Sequence, residues 1–279
     1  MSYDPISQDP PIIDADFPAK MMDVLFESHG AQLNGIMYAP QGAGPHPTIL
    51  LLHGFPGHER NFDLAQIFRR AGYNVMVFHY RGAWGSEGEF RFSHVLEDAE
   101  TALQYLRDPQ TVQHFNIDPE KIIVIGHSMG GWTALHMAGK GLVKRVASIA
   151  GVNIGVWGET VADSEDAKRY SMEFFEESLP PLSGVTADNL IDEVVQYMDD
   201  FDTMRLAKTL SHLDVLLVAG GRDDGVPLSL HHTPMVHMLE RNNAQQLTHV
   251  ILDADHGFSD KRIALARTIL DWLDSPTKL

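Results

Sequence analysis

Short apolar runs alternate with helical segments along most of this chain, and that alternation constrains the fold more than any other feature. Residues 48–52 and 121–125 are almost wholly apolar, which is typical of strands buried on both faces of a sheet. Residues 62–70 and 129–140 follow these runs with helical spacing. Strands that alternate with helices predict a doubly wound, mostly parallel α/β sheet.

The same pattern extends the predicted sheet to eight strands. Residues 21–27 and 33–38 predict two strands of a hairpin that turns at His29-Gly30. The other predicted strands are 74–80, 143–150, 214–219 and 249–252. Further helices are predicted at about 93–107, 229–242 and about 259–273, with Ser93 and Ser259 as N-caps of the first and last.

One long segment interrupts the alternation. Residues 152–212 are acidic, have helical spacing and carry several aromatic residues. A structureless loop of this length is rare inside a compact domain. We therefore predict a helical cap insertion at 152–212, a core formed by 20–151 and 213–279, and a surface extension at 1–19, which is rich in Pro and Asp.

The composition excludes several classes of partner. The chain carries 38 acidic and 21 basic residues, for a net charge of −17, so it repels phosphate backbones and anionic membranes. We expect no nucleic-acid partner. No stretch approaches the ~18 continuous apolar residues of a membrane span, and the first residues lack the pattern of a signal peptide.

The absence of Cys limits the chemistry. It excludes disulfides, Cys-ligated metal and a thiol nucleophile, and it fits a cytoplasmic location. The 15 His residues include no H-E-x-x-H or other familiar ligand spacing, so we expect no metal. A monomer and a homodimer both fit the sequence.

The main chemical motif is G-x-S-x-G. Residues 126–130 read Gly-His-Ser-Met-Gly, directly after the predicted strand 121–125 and before a predicted helix. In this strand–turn–helix setting the pattern predicts a tight turn that exposes the hydroxyl of Ser128. A serine hydroxyl is a poor nucleophile alone, so it needs a base and an orienting carboxylate.

Candidate partners for Ser128 follow two later strands. Asp223 and Asp224 come after strand 214–219, and His256 comes after strand 249–252. The carboxyl ends of parallel strands meet at one edge of the sheet, where such folds place their sites. The chain order Ser, Asp, His is that of α/β-hydrolases. The residue pattern alone leaves Asp223 and Asp224 as alternatives.

Two backbone N–H groups are predicted to bind an oxyanion. One belongs to Met129, directly after the nucleophile, and the other to Phe55, in the glycine-containing loop after strand 48–52. His53 begins that loop, and we expect it to support the loop rather than act as a base.

On these motifs the chain resembles serine hydrolases of the α/β-hydrolase superfamily over about residues 20–275. The sequences at 33–40 and 118–121 are similar to the branch of cinnamoyl (feruloyl) esterases and prolyl-oligopeptidase-like peptidases. The resemblance implies that the acid is Asp223, three residues after a Gly and four before a Pro. It also implies that no cofactor is needed.

Residues 81–88 depart from the pattern R-G-x-G-x-S-x-G of that branch, because Trp84 stands where the first inner Gly belongs. We expect Trp84 to change the substrate pocket. The other expected pocket residues are His127, Trp157, Phe174 and Phe175. For the aromatic residues of the insertion, the alternative is that they pack the cap onto the core.

The resemblance implies hydrolysis of small to medium carboxylic esters through an acyl-enzyme intermediate. A prolyl-oligopeptidase-like peptidase or amidase, a thioesterase, an acyltransferase and a perhydrolase remain alternatives, because one triad serves all of them. Dehalogenases and epoxide hydrolases use an Asp nucleophile, which Ser128 excludes. A non-catalytic module that holds a ligand in a hydrolase-like pocket is the alternative from another class.

Overall fold

Eight strands form a single sheet in the computed structural model, which describes residues 3–276. In chain order they are β1 (Lys20–Ser28), β2 (Ala31–Ala39), β3 (His46–Leu52), β4 (Asn74–Phe78), β5 (Ile117–His127), β6 (Arg145–Ile149), β7 (Asp214–Gly220) and β8 (Gln246–Leu252). Their spatial order is β1-β2-β4-β3-β5-β6-β7-β8. Strand β2 is antiparallel to both neighbours, and the other pairs are parallel. The predicted eight-stranded, mostly parallel sheet is confirmed.

The ends of the chain limit two of the predicted segments. Residues 1–2 of the extension and 277–279 of the core lie outside the described residues.

At the start of the sheet, the predicted hairpin is present and turns at His29 and Gly30, whose φ angles are 49° and 80°. Two successive residues in the left-handed region are what a two-residue type I′ turn requires.

Helices cover both faces of the sheet. In chain order they are α1 (Phe62–Arg70), α2 (Phe92–Arg107), α3 (Pro109–Phe115), α4 (Met129–Gly139), α5 (Ile154–Asp163), α6 (Glu165–Ser178), α7 (Ala187–Gln196), α8 (Met198–Phe201), α9 (Ala207–Leu210), α10 (His232–Arg241) and α11 (Arg262–Asp274). A 3₁₀ turn, Thr203–Leu206, precedes α9. No helix within residues 3–276 is long and apolar enough to span a bilayer.

The last four residues of strand β3, residues 49–52, are all apolar because both faces of the strand are buried there. Ile49 and Leu51 pack into the core under α1 and α11, whereas Leu50 and Leu52 pack into the core that contains α2 and α4. Successive side chains of a strand point to opposite faces, so a strand covered on both sides buries all of them.

The segment between β6 and β7 is helical and contains α5 to α9. Asn153 anchors its start, because its side-chain oxygen accepts hydrogen bonds from the N–H groups of Gly155 and Thr203. The indole N–H of Trp132, in α4, donates to the carbonyl of Phe201 across 2.8 Å. The bond from Trp132 joins the helical segment to the core, and the predicted boundaries at 152 and 212 stay a prediction.

Two predicted N-caps are wrong. Helices α2 and α11 begin after Arg91 and Lys261, and neither of these side chains makes a capping hydrogen bond. The Ser93 hydroxyl instead donates to Glu193 in α7, and Ser259 lies outside α11 with its N–H donating to Asp255. The residue types that mark a helix start in a sequence do not reveal these two partners, Glu193 and Asp255.

Candidate active site

The sharp turn between β5 and α4 holds Ser128 in a strained conformation. Its φ and ψ are 58° and −120°, a region that residues with a side chain rarely adopt. The neighbouring glycines allow the turn to close. A Cβ on Gly126 would lie 1.9 Å from the carbonyl oxygen of Gly130, and one on Gly130 would lie 2.2 Å from that of Leu52. Strain of this kind is concentrated at functional sites.

Asp223 and His256 are joined by a hydrogen bond. Nδ1 of His256 lies 2.7 Å from Oδ2 of Asp223. The Asp223 side chain is 1% exposed and that of His256 is 36% exposed. Since the carboxylate can only accept, the imidazole carries its proton on Nδ1 and presents a lone pair on Nε2. The pair therefore has the tautomer that a general base requires.

The turn that carries Asp223 is itself held in place. Oδ1 of Asp223 accepts hydrogen bonds from the N–H groups of Gly225 and Val226, at 3.0 and 2.8 Å. A Cβ on Gly220 would lie 2.7 Å from the carbonyl oxygens of Ala254 and Asp255, so this turn packs directly on the His256 loop. The close approach of the two loops brings the acid to the imidazole.

The side chains of the other aspartates of these loops form no hydrogen bond or ion pair with the His256 ring within residues 3–276. Asp224 is exposed. Asp253 pairs with Arg222, and Asp255 accepts the N–H of Ser259. Among the alternatives from the sequence, the geometry therefore selects Asp223 as the partner of His256.

The loop after β3 lies against Ser128. A Cβ on Gly54 would lie 2.9 Å from Cβ of Ser128 and 3.4 Å from its Oγ. The backbone N–H groups of Phe55, in this loop, and of Met129, after Ser128, have no hydrogen-bond acceptor within residues 3–276. Two uncommitted N–H groups flanking a serine suit the binding of an oxyanion.

Buried histidines lie beneath this loop. Nδ1 of His53 lies 2.8 Å from the carbonyl oxygen of Gly54, and its Nε2 lies 3.2 Å from Nδ1 of His79. Burial, followed by the neighbouring His79, lowers the pKa of His53 to about 3. His53 is therefore neutral at pH 7 and is engaged with the loop backbone.

Trp84 contacts the loop after β3. Its indole N–H donates to the carbonyl of Pro56 across 2.7 Å, and the guanidinium of Arg60 lies 4.1 Å above its ring. The φ of Trp84 is 50°, in the left-handed region that favours the Gly of the related pattern. Trp84 thus reaches the loop that carries Phe55.

Aromatic side chains from the core and the helical segment meet at Phe55. Its ring centroid lies 5.8 Å from that of Phe174 and 5.7 Å from that of Phe175. Trp157 lies 5.9 Å from Phe174 and 4.8 Å from Phe175. Two residues that the sequence analysis did not single out, Phe90 and Phe92, complete the group at 5.5 and 5.6 Å from Phe55.

Exposure separates the members of this aromatic group. Phe174 is 38% exposed, whereas Phe175 is fully buried. Of these two, Phe174 is the one with surface open to solvent, and Phe175 packs edge-on against the ring of Phe55. No spacing rule identifies Phe90 and Phe92, since their role depends on the packing of the helical segment.

His127 is buried behind the His256 loop. Its Nε2 lies 2.8 Å from the backbone carbonyl oxygen of His256, and the centroids of the two rings are 4.8 Å apart. Burial, followed by the neighbouring His256, lowers its pKa to about 3. The structure therefore directs the polar edge of this predicted pocket residue toward the loop backbone.

No group of three or more His, Asp or Glu side chains in the described part of the chain is arranged to hold a metal ion.

Comparison with known proteins assigns the family. The model of the Alpha/beta hydrolase family matches residues 49–268. The chain belongs to this family.

Two similar proteins of known sequence are themselves named as uncharacterized. YfhR of Escherichia coli K12 is 27% identical over 117 residues, which cover 40% of this chain and 39% of that protein. YfhR of Salmonella typhi is 24% identical over 247 residues, covering 86% of this chain and 75% of that protein. The chain thus spans well under half of the Escherichia coli relative.

Solved structures share the fold at low sequence identity. An alpha-beta serine hydrolase homologue from Coxiella burnetii has a TM-score of 0.58 at 19% identity, covering 90% of this chain and 96% of that one. An acylaminoacyl peptidase from Pyrococcus horikoshii has a TM-score of 0.67 at 18% identity, covering 92% of this chain and 42% of that one. These similarities support the α/β-hydrolase fold, not a substrate.

Proposed function

We propose that this chain is a serine hydrolase that cleaves carboxylic esters, with Ser128 as nucleophile, His256 as base and Asp223 as the orienting acid. The single observation that carries the proposal is the 2.7 Å hydrogen bond between His256 and the buried Asp223, at the sheet edge where Ser128 is held in a strained turn. A buried carboxylate that orients an imidazole toward a partly buried serine is the arrangement that activates a hydroxyl.

In the first half of the reaction, Oγ of Ser128 attacks the ester carbonyl carbon while Nε2 of His256 takes its proton. The carbonyl oxygen becomes an oxyanion, which the N–H groups of Phe55 and Met129 bind. His256 then gives the proton to the leaving alkoxide, the C–O bond breaks, and the acyl group stays on Ser128.

In the second half, water replaces the alcohol. His256 takes a proton from the water, whose oxygen attacks the acyl carbonyl, and the same two N–H groups bind the second oxyanion. The bond to Oγ breaks, the proton returns to Ser128, and the carboxylic acid leaves. Asp223 stabilises the imidazolium in both halves. No cofactor takes part in this scheme.

The aromatic group at Phe55 supports a small to medium apolar acyl group as the substrate portion nearest the cap. Phe55, Trp157 and Phe174 are only partly buried, so they can exchange water for an acyl chain. Phe175 supports Phe55 from behind, and Trp84 holds the neighbouring Pro56 carbonyl.

Hydrolysis of a p-nitrophenyl ester series from acetate to octanoate, with methyl ferulate alongside, tests the proposal. The substitution Ser128→Ala should lower kcat by more than ~10³-fold. Ser229→Ala, which removes an exposed hydroxyl elsewhere, serves as the control and should leave kcat unchanged. Wild-type turnover that survives in Ser128→Ala would refute the assignment of the nucleophile.

Competing reactions are tested with the same protein. Aminoacyl anilides test the peptidase or amidase alternative, and acyl thioesters with and without an alcohol acceptor test thioesterase and acyltransferase activity. If the protein turns over any of these substrates faster than esters, that substrate class takes the place of esters in the proposed function. A wild-type chain that binds a ligand but neither turns over nor reacts with a fluorophosphonate would be a non-catalytic module.

We further propose a cytoplasmic location, supported by the absence of Cys, which fits a reducing compartment. Fractionation of cells that express a tagged chain tests it. Light scattering of the purified chain separates the monomer from the homodimer.

A further inference from the structure

His127 links the nucleophile turn to the loop of the proposed base. It is the last residue of β5 and directly precedes Ser128, yet its Nε2 lies 2.8 Å from the backbone carbonyl oxygen of His256. The two rings are also in contact, with centroids 4.8 Å apart. The His127 side chain therefore links the residue before Ser128 to the backbone of His256.

The surroundings of His127 specify how it bonds. A carbonyl oxygen only accepts, so Nε2 must carry a proton and donate. The other ring nitrogen, Nδ1, is buried and has no hydrogen-bond partner among the described residues. A second proton there would leave an N–H and a positive charge unpaired in the interior, which is costly. The ring is therefore a neutral donor.

The charged groups around His127 do not change this state at neutral pH. Desolvation has the largest effect on its pKa, which lies at about 3, followed by His256; Arg262 also lowers it and Asp223 raises it. Around pH 5 to 9 His127 stays neutral, so its bond to the His256 carbonyl persists across this range.

The His256 loop needs such a restraint. Phe258, two residues later, has a φ of 54°, a strained value for an aromatic residue. A second donor acts on the next carbonyl, because Arg262 bonds the oxygen of Gly257 at 3.0 Å. Asp223 restrains the His256 ring at Nδ1, and His127 restrains the peptide plane from which that ring extends.

We propose that His127 is a positioning residue, which holds the backbone of His256 so that its Nε2 meets the hydroxyl of Ser128. This inference rests on the proposed ester hydrolysis. Displacement of a catalytic group by about 1 Å can cost ~10²-fold in rate. Because the contact acts on the base and not on substrate, its loss should lower kcat and leave KM nearly unchanged.

The substitutions His127→Leu, His127→Gln and His127→Asn test the proposal. Leu keeps the approximate volume and removes the donor, so kcat should fall by roughly 10- to 100-fold. The Gln amide nitrogen can reach the position of Nε2 and should restore kcat to within about 5-fold of wild type. The shorter Asn is polar but does not reach the carbonyl, and it should behave like Leu.

Two measurements separate the outcomes. The first is kcat and KM on p-nitrophenyl acetate, and the second is the rate of Ser128 labelling by a fluorophosphonate, with thermal unfolding to verify folding. If wild type neither turns over esters nor is labelled, the proposed function fails. If wild type is labelled and both Leu and Asn match its rate, the proposed function stands and the role of His127 is refuted. A Leu variant that fails to fold leaves the Gln and Asn pair to decide, and equal rates in that pair would also refute it.

Discussion

Glu193 connects the helical segment between β6 and β7 to the core, and its removal should destabilise the protein strongly. The residue lies in α7 and is 6% exposed. Its carboxylate accepts three hydrogen bonds at the start of α2: from the N–H of Phe92 at 2.9 Å, from the N–H of Ser93 at 2.8 Å and from the Ser93 hydroxyl at 2.7 Å. Glu193 therefore serves as the cap that Ser93 was predicted to provide.

The size of the effect follows from this geometry. In Glu193→Gln, the amide oxygen still accepts from Ser93, but the NH₂ group faces the N–H of Phe92. One hydrogen bond to a charged acceptor is lost, worth about 1.5–3 kcal/mol, and the favourable interaction of a carboxylate with a helix N-terminus, worth about 0.3–1 kcal/mol, goes with it. We expect a loss of about 3 kcal/mol and a fall in Tm of roughly 6–10 °C.

Thermal and urea unfolding, followed by circular dichroism, test this prediction. Glu177→Gln removes an exposed carboxylate on the same helical segment and should change Tm by less than about 1 °C. Since Phe92 belongs to the aromatic group at Phe55, Glu193→Gln should also raise KM for p-nitrophenyl octanoate more than for the acetate. A Tm within about 2 °C of wild type would show that the carboxylate contributes little to stability and would contradict the expected loss of about 3 kcal/mol.

Three further predictions test the site and its surroundings. Asp223→Asn should lower kcat on p-nitrophenyl acetate by roughly 10⁴-fold, because Nδ1 of His256 loses its acceptor, whereas Asp224→Asn should stay within about 2-fold; equal losses would contradict the choice of Asp223. Phe175→Ala should destabilise the fold by about 3–5 kcal/mol in urea unfolding, while Phe174→Ala should mainly raise KM for octanoate, and the reverse pattern would contradict their assigned exposures. Burial lowers the pKa of His136 from 6.5 to about 4. Between these two pH values the unfolded chain binds more protons than the folded one, so stability is full above pH 6.5 and falls as the pH drops, by up to about 1.4 kcal/mol per pH unit. His136→Gln should reduce that slope in urea titrations at pH 7, 5.5 and 4.5, and an unchanged slope would count against the buried neutral state.

Local patterns predicted the sheet well where one physical constraint dominates. The run at β3 is apolar because both of its faces are covered, and the His29-Gly30 turn is short because both residues accept positive φ. Strand β5 is longer than predicted, from Ile117 to His127, because pairing between Ile117 and His46 extends it through polar residues. That pairing joins residues far apart in sequence, so periodicity alone does not detect it.

The candidate site, too, was predicted from the sequence only in part. G-x-S-x-G after a strand predicts the turn at Ser128, since only residues without a Cβ fit at Gly126 and Gly130. The order of strand ends predicts that His256 and either Asp223 or Asp224 lie near that serine at one edge of the sheet. The residue pattern alone did not separate Asp223 from Asp224; the resemblance favoured Asp223, and of the two only its carboxylate hydrogen-bonds to the imidazole in the structure.

The sequence by itself determined the sheet, the turn at Ser128 and the loops that bear its proposed partners, because these depend on the short-range sterics of glycine and on the burial of alternate side chains. The tertiary structure alone decided which groups serve as partners over long distances. Glu193 caps α2 across 100 residues, and His127 bonds His256 across 129. Such contacts depend on how elements that are distant in the sequence pack together, so the spacing of nearby residues does not predict them.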